Sequence, residues 1–254
     1  MESIALSHHS GVLTLTLQRP EKRNALNNAM YRYLADVIDA AALDTTVRVM
    51  MLTGSEQVFC AGNDLQDFQD SPPVTPDAPA WRFLRSISTF PKPLVAVVCG
   101  PAVGIGTTLL LHCDIVLAAE NASFTLPFVD LGVCPEAASS LLLPRLIGLR
   151  RAAEFIMGGA AVNAHTALVW GLINQVCKVS DALTLAHQYA EHLALKPSSV
   201  LIAAKHLLKS DAHLTVAARI DQEGALFGQM ICEAPAREAI RASIEKRRPD
   251  FSQY

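Results

Sequence analysis

The sequence has little that would direct it to a membrane, a nucleic acid or an oxidising compartment. Its 254 residues carry a net charge of −3, which gives no overall attraction for nucleic acids or acidic membranes. No apolar run reaches membrane-spanning length, because His112 and Asp114 interrupt the best candidate. The six cysteines include no C-x-x-C pair, and the N-terminus lacks the pattern of a secretory signal. We therefore predict reduced thiols and a cytoplasmic location.

Several common catalytic patterns are also missing. The G-x-S-x-G sequence of serine hydrolases does not occur, and no histidines stand at metal-site spacing with a third ligand. The three glycines at Gly100, Gly104 and Gly106 are spaced G-x3-G-x-G. This spacing matches neither the dinucleotide fingerprint nor a P-loop, so the sequence predicts no phosphate cradle.

What the sequence does contain is an apolar centre, Leu94–Ala119, with a glycine-rich turn inside it. Leu94–Cys99 has the length and β-branched composition of a buried strand, and Thr107–His112 is predicted to be helical. The N–H groups near Ile105 and Gly106, at the start of that helix, have no intrahelical partner and could bind a developing oxyanion. Tight packing alone also explains the glycines, so both interpretations stay open.

Strand-like and helix-like segments alternate through most of the chain. We expect strands at 4–6, 12–17, 47–53, 94–99, 123–126 and 175–179, and helices at 27–43, 81–90, 107–112, 137–147, 150–157 and 163–170. The proline-rich segment 71–80 is expected to be irregular. This alternation predicts an α/β fold with mainly parallel strands. Helices are then expected at 181–195, 198–209, 212–232 and 235–247, and this tail should pack on its own domain or on a neighbouring subunit.

Glu136 is the sharpest catalytic candidate. It follows Cys134 and Pro135 and precedes an apolar segment that is predicted to be helical. A carboxylate among apolar groups has a raised pKa and can act as a proton-transferring base. The alternative is that Glu136 is a helix-start acid, since acidic residues interact favourably with the positive end of a helix.

Several separate motifs together resemble the enoyl-CoA hydratase/isomerase (crotonase) family. They are RPEKRNALN near the start, FCAGNDL at 59–65, the long stretch from PKPLVAVV at 91–98 to LLLPRLIG at 141–148, ALVWGLINQV at 167–176 and EKRRPDF near the end. These motifs follow the family's order and spacing over nearly the whole chain. Within the family, GNDL-x-DF, GPAVGI and LG-x-x-PE look closest to the peroxisomal type of Δ3,Δ2-enoyl-CoA isomerase.

The resemblance implies a fold and an assembly. The fold would be a ββα superhelix, a spiral core over residues 1–195, followed by a C-terminal helical region over 196–254 that makes homotrimers or hexamers. It also implies an acyl-CoA substrate whose thioester carbonyl oxygen lies between two backbone N–H groups, those of Ala61 and Ile105. No metal, nucleotide or redox cofactor is implied, and neither a nucleic-acid nor a membrane partner is expected.

Two departures from the family pattern favour an isomerase. The hydratases of this family hold and activate a water with two glutamates, and the corresponding positions here are Thr108 and Phe128. Neither residue can act as a general base. Glu136 stands where hydratases usually have a small residue, which resembles the single catalytic glutamate of the isomerases. Hydration, another acyl-CoA reaction of the family, or a non-catalytic CoA-binding or interaction scaffold are the alternatives.

The resemblance also suggests which residues contact the substrate. The CoA moiety would lie along Lys22, Arg23, Ala25 and Leu26, and its adenine near the loop that contains Ala61, Gly62, Asn63, Asp64 and Leu65. The acyl chain would pass Leu65, Phe68, Trp81, Phe128 and Leu131. Gly104, Thr108 and Pro135 complete the expected binding site.

Overall fold

The computed structural model describes residues 3–210 and 214–254. Within these residues the strands are β1 Ile4–His9, β2 Val12–Leu17, β3 Val49–Thr53, β4 Leu94–Val98, β5 Pro101–Val103, β6 Ile115–Ala119, β7 Ser123–Thr125, β8 Val162–Asn163 and β9 Gln175–Cys177. The α-helices are α1 Asn28–Leu43, α2 Leu65–Asp70, α3 Pro79–Thr89, α4 Ile105–Thr108, α5 Ser139–Ile147, α6 Leu149–Gly158, α7 Ala164–Trp170, α8 Val179–Ala194, α9 Ser198–Lys209, α10 Val216–Met230 and α11 Ala234–Ile244.

The strands form two sheets. The larger sheet has the order β1-β2-β3-β4-β6-β9, and only its β1–β2 hairpin is antiparallel. The smaller sheet has the order β5-β7-β8. The chain adds a strand to the larger sheet, then one to the smaller sheet, and then turns through helical segments, as in β4-β5-α4. The protein therefore has the ββα superhelical, crotonase-like α/β fold that the sequence resemblance implied.

The larger sheet is covered on both faces around its centre, which explains why the central strands β3 and β4 are buried at every position. On one face, Met50 and Leu52 belong to a core that also contains side chains of α1 and α3. On the other face, Val49 and Met51 pack in a second core with α8. The helix α8 contributes a stripe of alanines with four-residue spacing, Ala182, Ala186, Ala190 and Ala194, and these small side chains let it lie close to the sheet.

A charged contact helps to attach the C-terminal helices to this core. Lys205 of α9 places its Nζ 2.7 Å from Asp114 Oδ2, and Lys209 Nζ lies 3.0 Å from Asp114 Oδ1. Helix α10 buries none of its described side chains, and Phe227 is 68% exposed. The tail therefore presents an apolar surface to its surroundings.

Several element boundaries differ from those expected. Helix α5 begins at Ser139 instead of Ala137, because Ala137 and Ala138 adopt φ angles of 54° and 56°, which a helix cannot contain. The helix after the glycine turn begins earlier, at Ile105, and its last turn, Leu109–His112, is a 3-10 turn. Helix α3 begins within the proline-rich segment, since Pro79 occupies its first turn. The predicted helix 212–232 begins outside the described residues.

Candidate active site

Glu136 lies in the loop between β7 and α5, and its carboxylate is directed into the protein. The left-handed backbone at Ala137 and Ala138 turns the chain after Glu136, and His112 fixes this turn by donating from Nε2 to the Ala137 carbonyl oxygen at 3.0 Å. The Thr108 hydroxyl donates to Glu136 Oε1 at 2.5 Å. Because α5 begins only at Ser139, Glu136 is not in a first helical turn, and the helix-start interpretation is wrong.

The surroundings of Glu136 make it a candidate base near neutral pH. Burial raises the pKa of Glu136 from 4.5 to about 7, while the hydrogen bond from Thr108 acts in the opposite direction. A carboxyl group with such a pKa is partly ionised at neutral pH and becomes a good proton donor after it accepts a proton.

The structure corrects one of the two expected oxyanion donors. The Ala61 N–H donates to the Arg23 carbonyl oxygen at 3.0 Å, so this N–H is already occupied inside the protein. Two residues later, the Asn63 N–H has no acceptor among the described residues, although the flanking groups, Gly62 O and Asp64 N, pair with Leu26. Asn63 therefore replaces Ala61 as the candidate donor from this loop.

Ile105 supplies the second candidate N–H. It is the first residue of α4, so its N–H has no intrahelical acceptor, and none is found elsewhere in the described chain. The two loops are held together because Val103 N–H donates to the Cys60 carbonyl at 2.9 Å. Gly106 permits this approach: a Cβ there would lie 2.6 Å from the same carbonyl oxygen. Gly106 thus allows the two loops to pack closely, and the same turn leaves the Ile105 N–H unpaired.

Tyr31 is a site residue that the sequence reasoning missed. It lies on the buried face of α1, and its hydroxyl donates to Asn63 Oδ1 at 2.5 Å. Burial raises the pKa of Tyr31 well above its usual value, so the phenol stays protonated. Its position among apolar helix residues indicates only core packing. The signal in the sequence is that a buried tyrosine hydroxyl needs a hydrogen-bond partner.

These residues meet at one cavity. It is lined by Tyr31, Asn63, Phe68, Ala80, Trp81, Leu84, Ile105 and Glu136. Among the lining residues, all of which lie in the described part of the chain, Glu136 is the only carboxylate. The cavity thus combines one base with two unpaired N–H groups in an apolar enclosure, an arrangement suited to proton transfer next to a carbonyl group.

The comparisons with known proteins agree with this chemistry. The sequence model of the Enoyl-CoA hydratase/isomerase family matches residues 7–254. The chain belongs to this family. The 2,3-dehydroadipyl-CoA hydratase of Escherichia coli (strain K12) is 36% identical over 253 residues, with 99% of each chain covered. The 1,2-epoxyphenylacetyl-CoA isomerase of the same strain is 37% identical over 264 residues, again with 99% of each covered.

A solved structure shows the same likeness in three dimensions. It is a protein of Magnetospirillum magneticum AMB-1 described as an enoyl-CoA hydratase/carnithine racemase. It is 41% identical to this chain, covers 100% of both chains and superposes with a TM-score of 0.96. The protein is therefore an acyl-CoA enzyme of the enoyl-CoA hydratase/isomerase family.

The residues expected to bind CoA in this enoyl-CoA hydratase/isomerase lie beside the cavity loop. Leu26 N–H donates to the Gly62 carbonyl oxygen at 2.8 Å, which brings the segment of Lys22, Ala25 and Leu26 next to residues 61–64. Lys22 is exposed, whereas Ala25 and Leu26 are buried. Asp64 has a structural role, because it caps α2 and pairs with Arg19 at 2.7 Å; this contact lowers the pKa of its carboxyl group.

The expected acyl-chain residues are only partly brought together. Phe68 and Trp81 line the cavity. Leu65 and Leu131 are 63% and 53% exposed and lie outside the cavity lining, so their contact with the acyl chain stays a prediction. Phe128 is buried but packs in the core instead of lining the cavity.

The remaining expected site residues stand next to the cavity residues in the chain. Gly104 directly precedes Ile105 and has φ 54° and ψ −119°, and Pro135 directly precedes Glu136 and is half-buried. Among the described residues, no group of three or more histidine, cysteine or acidic side chains is placed to hold a metal ion. In the same part of the chain, no helix is long and apolar enough to cross a membrane.

Proposed function

We propose that this enzyme converts a 3-enoyl-CoA into a trans-2-enoyl-CoA, a Δ3,Δ2-isomerisation with Glu136 as its base. The observation that carries the proposal is the single carboxylate of the cavity. A double-bond shift needs one group that removes a proton and returns it, and a base with a pKa near neutrality can do both. The reaction needs no metal, nucleotide or redox cofactor.

The positions that resemble the hydratase glutamates support an isomerase over a hydratase. Thr108 occupies one of them, and its hydroxyl is engaged with Glu136. Phe128 occupies the other and is 5% exposed. Neither side chain supplies a second carboxylate that could hold and activate a water molecule. Their replacement removes the pair of bases on which hydration depends in the resembling hydratases.

In the proposed mechanism, Glu136 removes a proton from C2 of the acyl group. The C2–H electron pair forms a C1–C2 double bond as the carbonyl π electrons move onto the thioester oxygen, and together with the existing C3–C4 double bond this gives a dienolate. The N–H groups of Asn63 and Ile105 donate to that oxygen, and each such donor contributes on the order of 3 kcal/mol of transition-state stabilisation. The protonated Glu136 then delivers its proton to C4: the C3–C4 π pair takes up the proton, the C1–C2 pair moves to C2–C3, and the thioester carbonyl re-forms.

The test is product analysis with 3-hexenoyl-CoA for the wild type and Glu136→Gln. The glutamine keeps the oxygen that accepts from Thr108 but cannot accept a proton. We expect the wild type to form 2-hexenoyl-CoA and the variant to lose roughly a thousandfold or more in kcat while it still binds CoA. An unimpaired variant would remove Glu136 from the mechanism. A wild type that leaves 3-hexenoyl-CoA unchanged but converts 2-hexenoyl-CoA into 3-hydroxyhexanoyl-CoA would instead favour hydration, the activity in the name of one relative.

We also propose that the tail makes a homotrimer. Helices α9, α10 and α11 enclose an apolar groove of about 560 Å³, whose lining includes Leu207, Phe227 and Ile231. An apolar groove of this size on a monomer is typical of a surface that another chain covers. The resemblance to trimeric and hexameric family members supports a second copy of this chain in that role.

A further inference from the structure

The cavity that holds Glu136 is too small for a long acyl chain. Its volume is about 20 Å³, room for a group of about the size of one water molecule. Trp81 and Leu84 of α3 close it on the side of that helix. They are three residues apart and therefore lie on the same face of α3. An acyl chain that extends beyond the reacting carbons has to displace this wall or lie elsewhere.

A second, larger and more open pocket adjoins the same wall. Its volume is about 340 Å³, and its lining includes Trp81, Leu84, Ser88 and His112. It is also bounded by Ala137, the residue directly after Glu136. The two cavities thus share two side chains and adjoin the same loop. A volume of this size lies within the range of ligand pockets, whereas the volume around Glu136 does not.

The wall is fixed by a specific contact. The Trp81 indole N–H donates to the Pro73 carbonyl oxygen at 2.7 Å, which ties the ring to the segment that precedes α3. The indole is the largest side chain shared by the two cavities, so its removal would join them more completely than any other single substitution.

We infer that Trp81 determines the acyl-chain length that this enzyme accepts. With the indole in place, the enzyme prefers short chains, because carbons beyond the reacting ones meet the ring. Without it, a longer chain continues past Leu84 into the second cavity. This inference rests on the proposed function only in that it uses turnover of a 3-enoyl-CoA as one of its readouts.

The experiment compares kcat/KM for 3-hexenoyl-CoA and 3-dodecenoyl-CoA in four proteins. The wild type should favour the hexenoyl substrate, and Trp81→Ala should shift this preference by about tenfold or more towards the dodecenoyl substrate. Trp81→Phe keeps an aromatic wall and should keep the preference. Trp170→Ala is a matched control, because Trp170, the other tryptophan, packs against Phe155 outside both cavities. It should leave the preference unchanged.

A binding measurement separates this inference from the proposed reaction. The saturated ligands hexanoyl-CoA and dodecanoyl-CoA are titrated calorimetrically against the same proteins, and Trp81→Ala should improve the relative affinity for dodecanoyl-CoA. If no protein converts 3-hexenoyl-CoA but the affinities shift as expected, the proposed function fails and this inference stands. Equal wild-type affinity and turnover for both lengths, or a uniform loss in Trp81→Ala, would overturn it. Leu84→Ala opens the same wall and replaces Trp81→Ala if that variant does not fold.

Discussion

Removal of the Glu136 charge should stabilise the protein at high pH while it abolishes activity. The folded-state pKa of Glu136 is raised by burial from 4.5 to about 7, so the folded protein binds this proton more tightly than the unfolded chain does. Glu136 therefore does not lower the free energy of unfolding of the wild type below about pH 4.5. The free energy of unfolding falls as the pH rises from about 4.5 through about 7, and the loss is complete above that pH. Glu136→Gln has no such ionisation, and its hydrogen bond from Thr108 can persist.

The magnitude follows from the size of the shift. A change from 4.5 to about 7 corresponds to a difference of up to about 3 kcal/mol, at about 1.4 kcal/mol per pKa unit. Urea denaturation followed by circular dichroism at about pH 5 and about pH 8 measures the free energy of unfolding of both proteins. The advantage of Glu136→Gln should be small at the lower pH and should reach a few kcal/mol at the higher pH.

A matched control and a refuting result complete this test. Glu154 is exposed on α6, so Glu154→Gln should change the free energy of unfolding by less than about 0.5 kcal/mol at either pH. If Glu136→Gln were as pH-independent as this control, the carboxylate of Glu136 would not be desolvated, and its proposed role as a base near neutrality would lose its physical support.

Four further predictions concern the surroundings of Glu136 and the assembly. Thr108→Val removes a hydrogen bond that lowers the pKa of Glu136, so the pH profile of kcat/KM should move to higher pH; an unmoved profile would contradict this. Gly106→Ala forces a Cβ against the Cys60 carbonyl oxygen and should reduce kcat by about a hundredfold or more with little change in CoA affinity. Lys205→Met leaves Asp114 short of one partner and should cost about 3 kcal/mol of unfolding free energy in urea denaturation. Light scattering should give about three times the chain mass of 27.4 kDa, and a monomer would refute the role proposed for the tail.

The sequence predicted the fold well because its central strands are buried, mainly apolar runs and the motifs of the family keep their order. Val49–Thr53 and Leu94–Val98 are both buried along their whole length, which makes such segments easy to recognise. Local sequence predicted the wrong start for α5, because alanine favours helices. Ala137 and Ala138 are instead held in a left-handed conformation, with the Ala137 carbonyl bonded to His112. A tertiary contact overrides intrinsic propensity here.

The site was harder to predict than the fold because it depends on the direction of single peptide groups. Gly62 has a φ of +101°, which reorients the chain between Ala61 and Asn63. Nothing in the letters FCAGNDL shows which of the two N–H groups is left unpaired. Similarly, Tyr31 lies in an apolar helical pattern that indicates only core packing, and Leu65 is expected at the acyl chain only from the family resemblance. The structure places Tyr31 at the cavity and Leu65 at the surface.

The measurement that tests the central claim most directly follows the proton itself. 3-Hexenoyl-CoA with deuterium at both C2 positions is converted in ordinary water, and the 2-hexenoyl-CoA product is examined for deuterium at C4. If Glu136 both removes and returns the proton, a measurable fraction of the product carries deuterium at C4, since the protonated base is shielded from solvent by burial. A product whose C4 carries only hydrogen from solvent would contradict a single-base mechanism.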